Sequence, residues 1–282
     1  MEQKSIFTRL FRIFVYLFLA VLAVMSLFPF VIMFVNSTRS TPEIFQRAVS
    51  VIPSNFLADN LRIISASRMF DAWTGFQNSL IIASGTTFCA IYFSSLTAFA
   101  LTAYDWRLRQ PFFTFIMAVM MIPGQIVTIG FYTMVWQLGY TNNFLPLILP
   151  AIAAPTIVFF MRQYLLATFS MDMVNAARID GAGEFRIFNQ IILPMMKPAI
   201  ATQAIFIFVG SWNSLFLPMI LLTRTELFTM PIMVSLLRGD IYRTEFGAVY
   251  LGLSMSVLPL FAIYFTLSRY IISGIQLGGV KE

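Results

Sequence analysis

The residues best spaced for chemistry lie in one polar interval, Arg162 to Lys197, of a chain that is otherwise almost wholly apolar. It holds Asn175-Ala176-Ala177-Arg178-Ile179-Asp180-Gly181 and, after nine intervening residues, Ile191-Ile192-Leu193-Pro194. The chemistry on offer is recognition, not bond-making. A charged loop punctuated by Gly and Pro, set between two apolar segments, has the makings of a docking surface. Catalytic groups are scarce. There is no His and one Cys, Cys89, so an intrachain disulfide, a zinc cluster and a Cys–His nucleophile are all excluded. Lys4, Lys197 and Lys281 each follow a residue other than Gly, so no Gly-Lys-Ser/Thr phosphate loop exists.

The loop has its own local logic. Ser170 is placed to cap a short helix over Met171–Ile179, with Asp172 in the first turn where the helix dipole favours an anion. Gly181 and Gly183 interrupt that helix and give a bend. Asp180 can then cap a second helix in which Phe185, Phe188 and Ile192 share one face. Pro194 and Pro198 mark the return to apolar sequence. This reads as a helix-turn-helix on the membrane surface. The pattern alone fits equally an ordinary connecting loop stabilised by its own amphipathic packing.

The elements that must hold this loop follow from composition. Hydrophobic residues make up 59% of the 282, charged residues 11%, and the mean hydropathy is +0.83, values of an integral membrane protein. Charge-free blocks run over 13–38, 72–104, 110–161, 198–223 and 246–268. A span needs about 20 residues. The block 110–161 holds two, split at the turn-type cluster Gly139-Tyr140-Thr141-Asn142-Asn143. The expectation is an all-α membrane protein forming one membrane domain over 1–282. Its six transmembrane helices fall near 13–35, 79–103, 112–136, 145–162, 199–222 and 247–269, with a cytoplasmic loop over 163–198. Segments apolar all round argue against a β-barrel.

Lys and Arg set the orientation. With the N-terminus inside, eleven fall on inner segments and seven on outer ones. The short 104–110 segment is basic, whereas 137–144 carries no charge. Both termini and the 162–198 loop are therefore expected in the cytoplasm. The net charge of +6 reflects this bias; the basic residues are scattered and do not suggest nucleic acid. Ile6, Phe7, Leu10, Phe11 and Phe14 recur at helical spacing, which fits a short interfacial helix before the first span or simply a basic flank to it. No predicted span carries an ionisable residue in its interior. That argues against ion-coupled transport and intramembrane hydrolysis, since both need polar chemistry at depth.

Taken together, Asn175-Ala-Ala-x-x-x-Gly181 and Ile191-x-Leu193-Pro194 resemble the "EAA" loop of membrane subunits of binding-protein-dependent ABC importers, most closely sugar permeases of the maltose permease type. The likeness covers nearly the whole chain. It includes Phe28-Pro29-Phe30, Asn78-Ser79-Leu80, Ala98-Phe99-Ala100-Leu101, Ile122-Pro123-Gly124-Gln125, Trp212-Asn213-Ser214-Leu215-Phe216-Leu217-Pro218 and the tail Gly274–Lys281. One departure stands out: the motif's first residue, usually Glu, is Asn175 here.

The resemblance implies a subunit that forms a path with a second permease, most often a different chain, above two ATP-binding subunits. A solute-binding protein outside would deliver a sugar. ATP and Mg²⁺ would be bound by the partner ATPases, with no cofactor in this chain. Asn175, Ala176, Ala177, Asp180, Gly181, Ile191, Leu193 and Pro194 become the ATPase-docking elements. Candidate path residues are Gln125, Ser211, Trp212 and Asn213, because amides, hydroxyls and aromatic faces suit sugars. The other reading of that cluster is that Asn213 bonds a neighbouring helix and Trp212 packs. The outer segments 36–78 and 224–245, with charges of both signs, suit a surface that meets the binding protein or plain solvated loops. A secondary transporter or channel, or a non-transporting membrane scaffold, are the competing classes. The implied location is a bacterial cytoplasmic membrane.

Overall fold

The computed structural model describes the backbone of residues 2–238 and 244–278, and the side chains of 8–124, 126–238 and 244–266. It is helical throughout, with no strand among the described residues. The helices are α1 (Glu2–Asn36), α2 (Thr41–Gln46), α3 (Leu57–Ala66), α4 (Ala72–Ala103), α5 (Arg109–Val119), α6 (Gly124–Gln137), α7 (Leu145–Ile148) and α8 (Pro155–Thr168). They continue as α9 (Met171–Ile179), α10 (Glu184–Ile187), α11 (Leu193–Met195), α12 (Lys197–Trp212), α13 (Phe216–Leu221), α14 (Met230–Leu236) and α15 (Phe246–Gly278). Among the described residues, four stretches are long and apolar enough to cross a membrane: Thr8–Asn36, Ala72–Ala103, Leu145–Thr168 and Phe246–Thr266.

Three of the six expected spans are interrupted, 145–162 among them, where a 3-10 turn over Leu149–Ile152 and the non-helical Ala153 and Ala154 separate α7 from α8. The expected 112–136 span is divided into α5 and α6 around Met120–Pro123. Pro123 lacks an N–H and disfavours helical backbone at Ile122, so the helix stops and restarts with Pro123 as its N-cap. The expected 199–222 span ends at Trp212 and resumes as α13 after Asn213–Leu215. Ahead of it, Glu184–Met195 meets Lys197–Trp212 at 78°, so only this bent pair supplies a fifth crossing. The short interfacial helix, one of two readings of the segment before the first span, is not separate: α1 is continuous from Glu2, with no Gly, Pro, Asn or Asp before Pro29. The side chains of residues 4–7 in that segment lie outside the described residues. So do the side chains of the tail from Gly274 and the whole of Lys281.

The chain divides into two compact units. One comprises Met1–Asp71 and Val234–Val257. Its centre is polar. Arg39 is buried and donates to Asn36 Oδ1 at 2.9 Å, Arg47 O at 2.8 Å and Glu43 O at 2.6 Å. Asn60 donates to the carbonyls of Ser37 and Arg39 at 2.9 and 3.0 Å. Ser40 N–H donates to Glu43 at 2.8 Å, closing the start of α2. Gly247, in the first turn of α15, packs so tightly here that a Cβ would lie 2.2 Å from the Arg39 carbonyl.

The second unit comprises Ala72–Met233 and Leu258–Glu282, with α4 packed along α8 and α12. Asn78 donates to the Glu226 and Phe228 carbonyls at 2.9 and 3.0 Å, and Ser79 Oγ accepts from Met230 N–H at 2.9 Å. The Asn78-Ser79 pair thus fastens the 226–230 backbone to α4. The turn expected at 139–143 is present. Gly139 and Asn142 take positive φ, and Asn142 Oδ1 accepts from the Thr223 and Arg224 amides at 2.7 and 3.1 Å. Asn suits the left-handed conformation because its short side chain finds local partners.

Gly247→Ala is expected to lower the stability of the detergent-solubilised chain by about 1–3 kcal/mol, the usual range for overpacking against backbone. Gly130→Ala, where a Cβ meets nothing within 4 Å, should be near neutral in the same thermal-unfolding assay.

Candidate functional site: the 163–198 loop and its underside

Ser170 caps α9 as expected, its Oγ accepting from Asp172 N–H at 3.3 Å. Val174 and Ala177 turn inward; Asn175, Ala176, Arg178 and Ile179 turn outward. Asp180 is the C-cap of α9, which corrects its expected role as cap of the second helix. That cap is Gly183 instead. Gly181 has φ +80°, and its N–H donates to Arg178 O at 3.0 Å while Ala182 N–H donates to Ala177 O at 2.9 Å. This pair of bonds is a Schellman ending, which needs a residue at ease in left-handed backbone. Glycine is required here by conformation, since a Cβ would meet nothing within 4 Å.

The second limb is α10, a π turn over Phe188–Ile192, and α11. A π turn closes i→i+5 bonds, so residues five apart align. Ile187 and Ile192 are both fully buried, with Phe188 beside them. Phe185, expected on the same face as Phe188 and Ile192, is instead 73% exposed. The 3.6-residue period assumed for the sequence fails at the π turn.

The underside is a large apolar cluster. Val174, Ala177, Ile187, Phe188, Ile192 and Met196 from the loop pack with Ile91, Ala98 and Phe99 of α4, Met161 and Leu165 of α8, and Ala199 of α12. Phe188 stacks on Phe99 at 5.9 Å and meets Tyr92 edge-on at 5.7 Å. Phe99 also contacts Phe169 and Tyr104 edge-on at 6.1 and 5.4 Å. The loop is therefore an extension of the helical packing, not a tethered appendage.

A polar clasp closes its edge. Arg178 Nε donates to Glu184 Oε1 at 2.7 Å, Tyr104 donates its hydroxyl to the other Glu184 oxygen, and Arg178 lies over the Tyr104 ring at 5.8 Å. Arg178 also reaches Asn175 Oδ1 at 3.5 Å. Hydrogen bonds from Arg178 and then Tyr104 hold the Glu184 carboxyl below its usual range. Burial, then the bond to Glu184, pushes the Tyr104 hydroxyl up to about 12, which keeps it a donor at neutral pH. Neither Tyr104 nor Glu184 was singled out by the sequence. They lie eighty residues apart, and no local pattern links them.

Of the sequence-derived docking residues, Asn175, Ala176, Asp180, Gly181 and Pro194 are exposed, and Ile191 and Leu193 are half-buried against the cluster. Ala177 is buried, so it serves the underside. Ala177, Asp180, Ala182, Arg186, Gln190 and Ile191 line an outward pocket of about 210 Å³, with a carboxylate and a guanidinium in its wall. Two apolar side chains that the motif did not flag dominate the outer face: Ile179, 87% exposed, and Phe185.

The path candidates separate. Trp212 is 1% exposed and packs against Phe208 at 5.8 Å and Phe76 at 5.7 Å, in agreement with the packing reading of that cluster. Ser211 is half-buried, and Asn213 is exposed at the C-cap of α12. Gln125 lies in α6, but its side chain is outside the described residues.

Comparison with known proteins places these features. Residues 90–276 match the binding-protein-dependent transport system inner membrane component family, and the chain belongs to that family. It is 33% identical over 265 residues to the arabinooligosaccharides transport system permease protein AraQ of Halalkalibacterium halodurans, covering 93% of this chain and 94% of that one. It is 31% identical to the lactose transport system permease protein LacG of Rhizobium radiobacter, covering 94% and 95%. The sn-glycerol-3-phosphate transport system permease protein UgpE of Salmonella typhi is 28% identical over 88% of this chain and 90% of its own length. The fold is shared, at TM-score 0.77 and 23% identity over 93% and 96% of the two chains, with a bacterial ABC transporter involved in import of the acidic polysaccharide alginate. The chain is thus a permease component of an ABC importer and works with other subunits.

Because the folded-state pKa of Glu184 is depressed, its pairing favours the closed loop above the ordinary glutamate range and is lost as pH falls through the lowered value. Protection of the Ala182 and Ile187 amides, measured as exchange relative to the intrinsic rate at each pH, should fall on acidification below the ordinary glutamate range in the wild type. In Glu184→Gln that acid-dependent step should be absent.

Proposed function

We propose that this chain is the membrane-spanning permease subunit of an ATP-driven sugar importer. With a second permease it forms the path for a sugar or oligosaccharide handed over by an extracytoplasmic solute-binding protein. Two partner ATPases bind ATP and Mg²⁺, and this chain has no nucleotide site of its own. It sits in a bacterial cytoplasmic membrane with both termini and the 163–198 loop inside. The support for a carbohydrate is the likeness to the arabinooligosaccharide and lactose permeases over nearly the full chain.

The observation that carries the mechanism is the two-sided loop. Ile179 and Phe185 stand exposed on one side, and the buried cluster with α4, α8 and α12 lies on the other. An apolar outer face with Asn175, Ala176, Asp180 and Gly181 around it suits insertion into a groove of an ATPase subunit. Pro194, Ile191 and Leu193 hold the second limb at the membrane surface. A displacement of this face is carried to the three long helices through packed side chains, because cores resist gradual deformation. Nucleotide-driven closure of the ATPases then biases two arrangements of the spans. Ser211 and Asn213 stay candidates for contact with the sugar, as does Gln125. Trp212 holds the break between α12 and α13 in place.

In the purified complex, substrate-stimulated ATP hydrolysis should fall at least about tenfold in Ile179→Asp/Phe185→Asp, as expected for loss of apolar anchors at an interface. Gly181→Pro should give the same loss while the two permease subunits still assemble. Full activity in either variant would sink the coupling role of the loop.

A further inference from the structure

A second group of basic and aromatic side chains lies apart from the docking loop's outer face, where α8 meets α5. Arg162, on α8, lays its guanidinium 4.0 Å from the centroid of the Phe113 ring, and Phe113 stacks on Phe159 at 6.4 Å. The Arg162 Nε is buried and has no hydrogen-bond partner. Among the described residues the ion pairs are Arg62–Asp59, Arg109–Asp105 and Arg178–Glu184, so no carboxylate pairs with Arg162. The charged group that acts on it is of like sign, Arg109 at the start of α5. Arg109 is held by the Tyr104 carbonyl and by Asp105, each at 3.3 Å, and Asp105 is itself fully exposed.

Two guanidinium groups near one another with one solvent-facing carboxylate leave an uncompensated positive potential. A ring-stacked, partly desolvated arginine has lost water contacts that an anion would replace. The planar fork of arginine matches the oxygens of a phosphate better than a point charge does. The setting narrows the ligand further. Arg162 lies toward the end of the apolar Leu145–Thr168 stretch. Phe112 and Phe115, also on α5, are exposed at 42% and 63%. A phosphate attached to apolar chains meets both features. Basic pockets between membrane helices on the cytoplasmic side favour anionic headgroups for the same reason.

We propose that Arg162, with Arg109, forms a binding site for the phosphate headgroup of an anionic phospholipid, with Phe112, Phe113 and Phe115 flanking its acyl chains. Free phosphate shares the headgroup chemistry, so the test must separate the two sources.

The test is native mass spectrometry of the detergent-purified importer complex, with phosphatidylglycerol, phosphatidylcholine and inorganic phosphate as probes. The wild type should retain phosphatidylglycerol in preference to phosphatidylcholine. Arg162→Gln and Arg109→Gln should each lower that retention by about fivefold, the effect of one basic residue at an anionic membrane surface. Arg12→Gln, a basic residue beside the first span, should leave it unchanged. Equal retention by the wild type and both variants overturns the site. Displacement of the lipid by millimolar inorganic phosphate overturns the lipid source. Loss of subunit assembly in both variants, with lipid retention intact in the separated chain, also overturns it and reassigns the arginines to a protein interface.

Discussion

Everything at this chain's functional surface depends on the burial of Phe188, Ile187 and Ile192 beneath the loop. These side chains fix the second limb against Phe99, Met161 and Leu165, which belong to the long helices. Each buried side chain of this size is worth roughly 1.5–3 kcal/mol when moved out of water. The total far exceeds what an exposed ion pair such as Arg178–Glu184 supplies. The clasp therefore orients the loop edge, and the apolar cluster holds it down. That division lets Ile179 and Phe185 remain exposed without loosening the loop.

The substitution at the head of the motif is accommodated within the same geometry. Asn175 offers Arg178 a neutral oxygen at 3.5 Å, while Glu184 takes the shorter bond at 2.7 Å. The guanidinium is thus committed to the loop's own carboxylate. The outer face then carries an uncharged amide at residue 175, the apolar Ile179 and Phe185, and the charged Asp180 and Arg186 beside them. At residue 175 this face offers a hydrogen-bonding amide and no charge.

Local signals were legible wherever the chemistry was local. Ser170 and Gly181 announced the start and end of α9 because capping and left-handed backbone depend on single residue types. The Gly139–Asn143 turn was readable for the same reason. The all-helical character and the family followed from apolar blocks and motif spacing. What sequence could not give were departures from the regular period. The π turn at Phe188–Ile192 re-phased the buried face and put Phe185 outside. Pro123 looked like one residue in a motif, yet it divides a span. Trp212, polar-tipped and beside Asn213, resembled a sugar platform; its ring is enclosed by Phe76 and Phe208, contacts made across the fold. Tyr104 and Glu184 meet only because α4 ends beside the loop.

If the loop drives the spans as proposed, it and α4 move as one body when the partner ATPases close. The direct measurement is the distance between spin labels at Met173, on α9, and Phe88, on α4. Both sites are exposed, and Cys89 would be replaced by Ser in the assembled importer. Pulsed electron–electron resonance in nucleotide-free and ATP-trapped complexes should give the same distance distribution. A shift of several ångströms between the two states would contradict the account, because the loop would then be sliding over the helices it is held to drive.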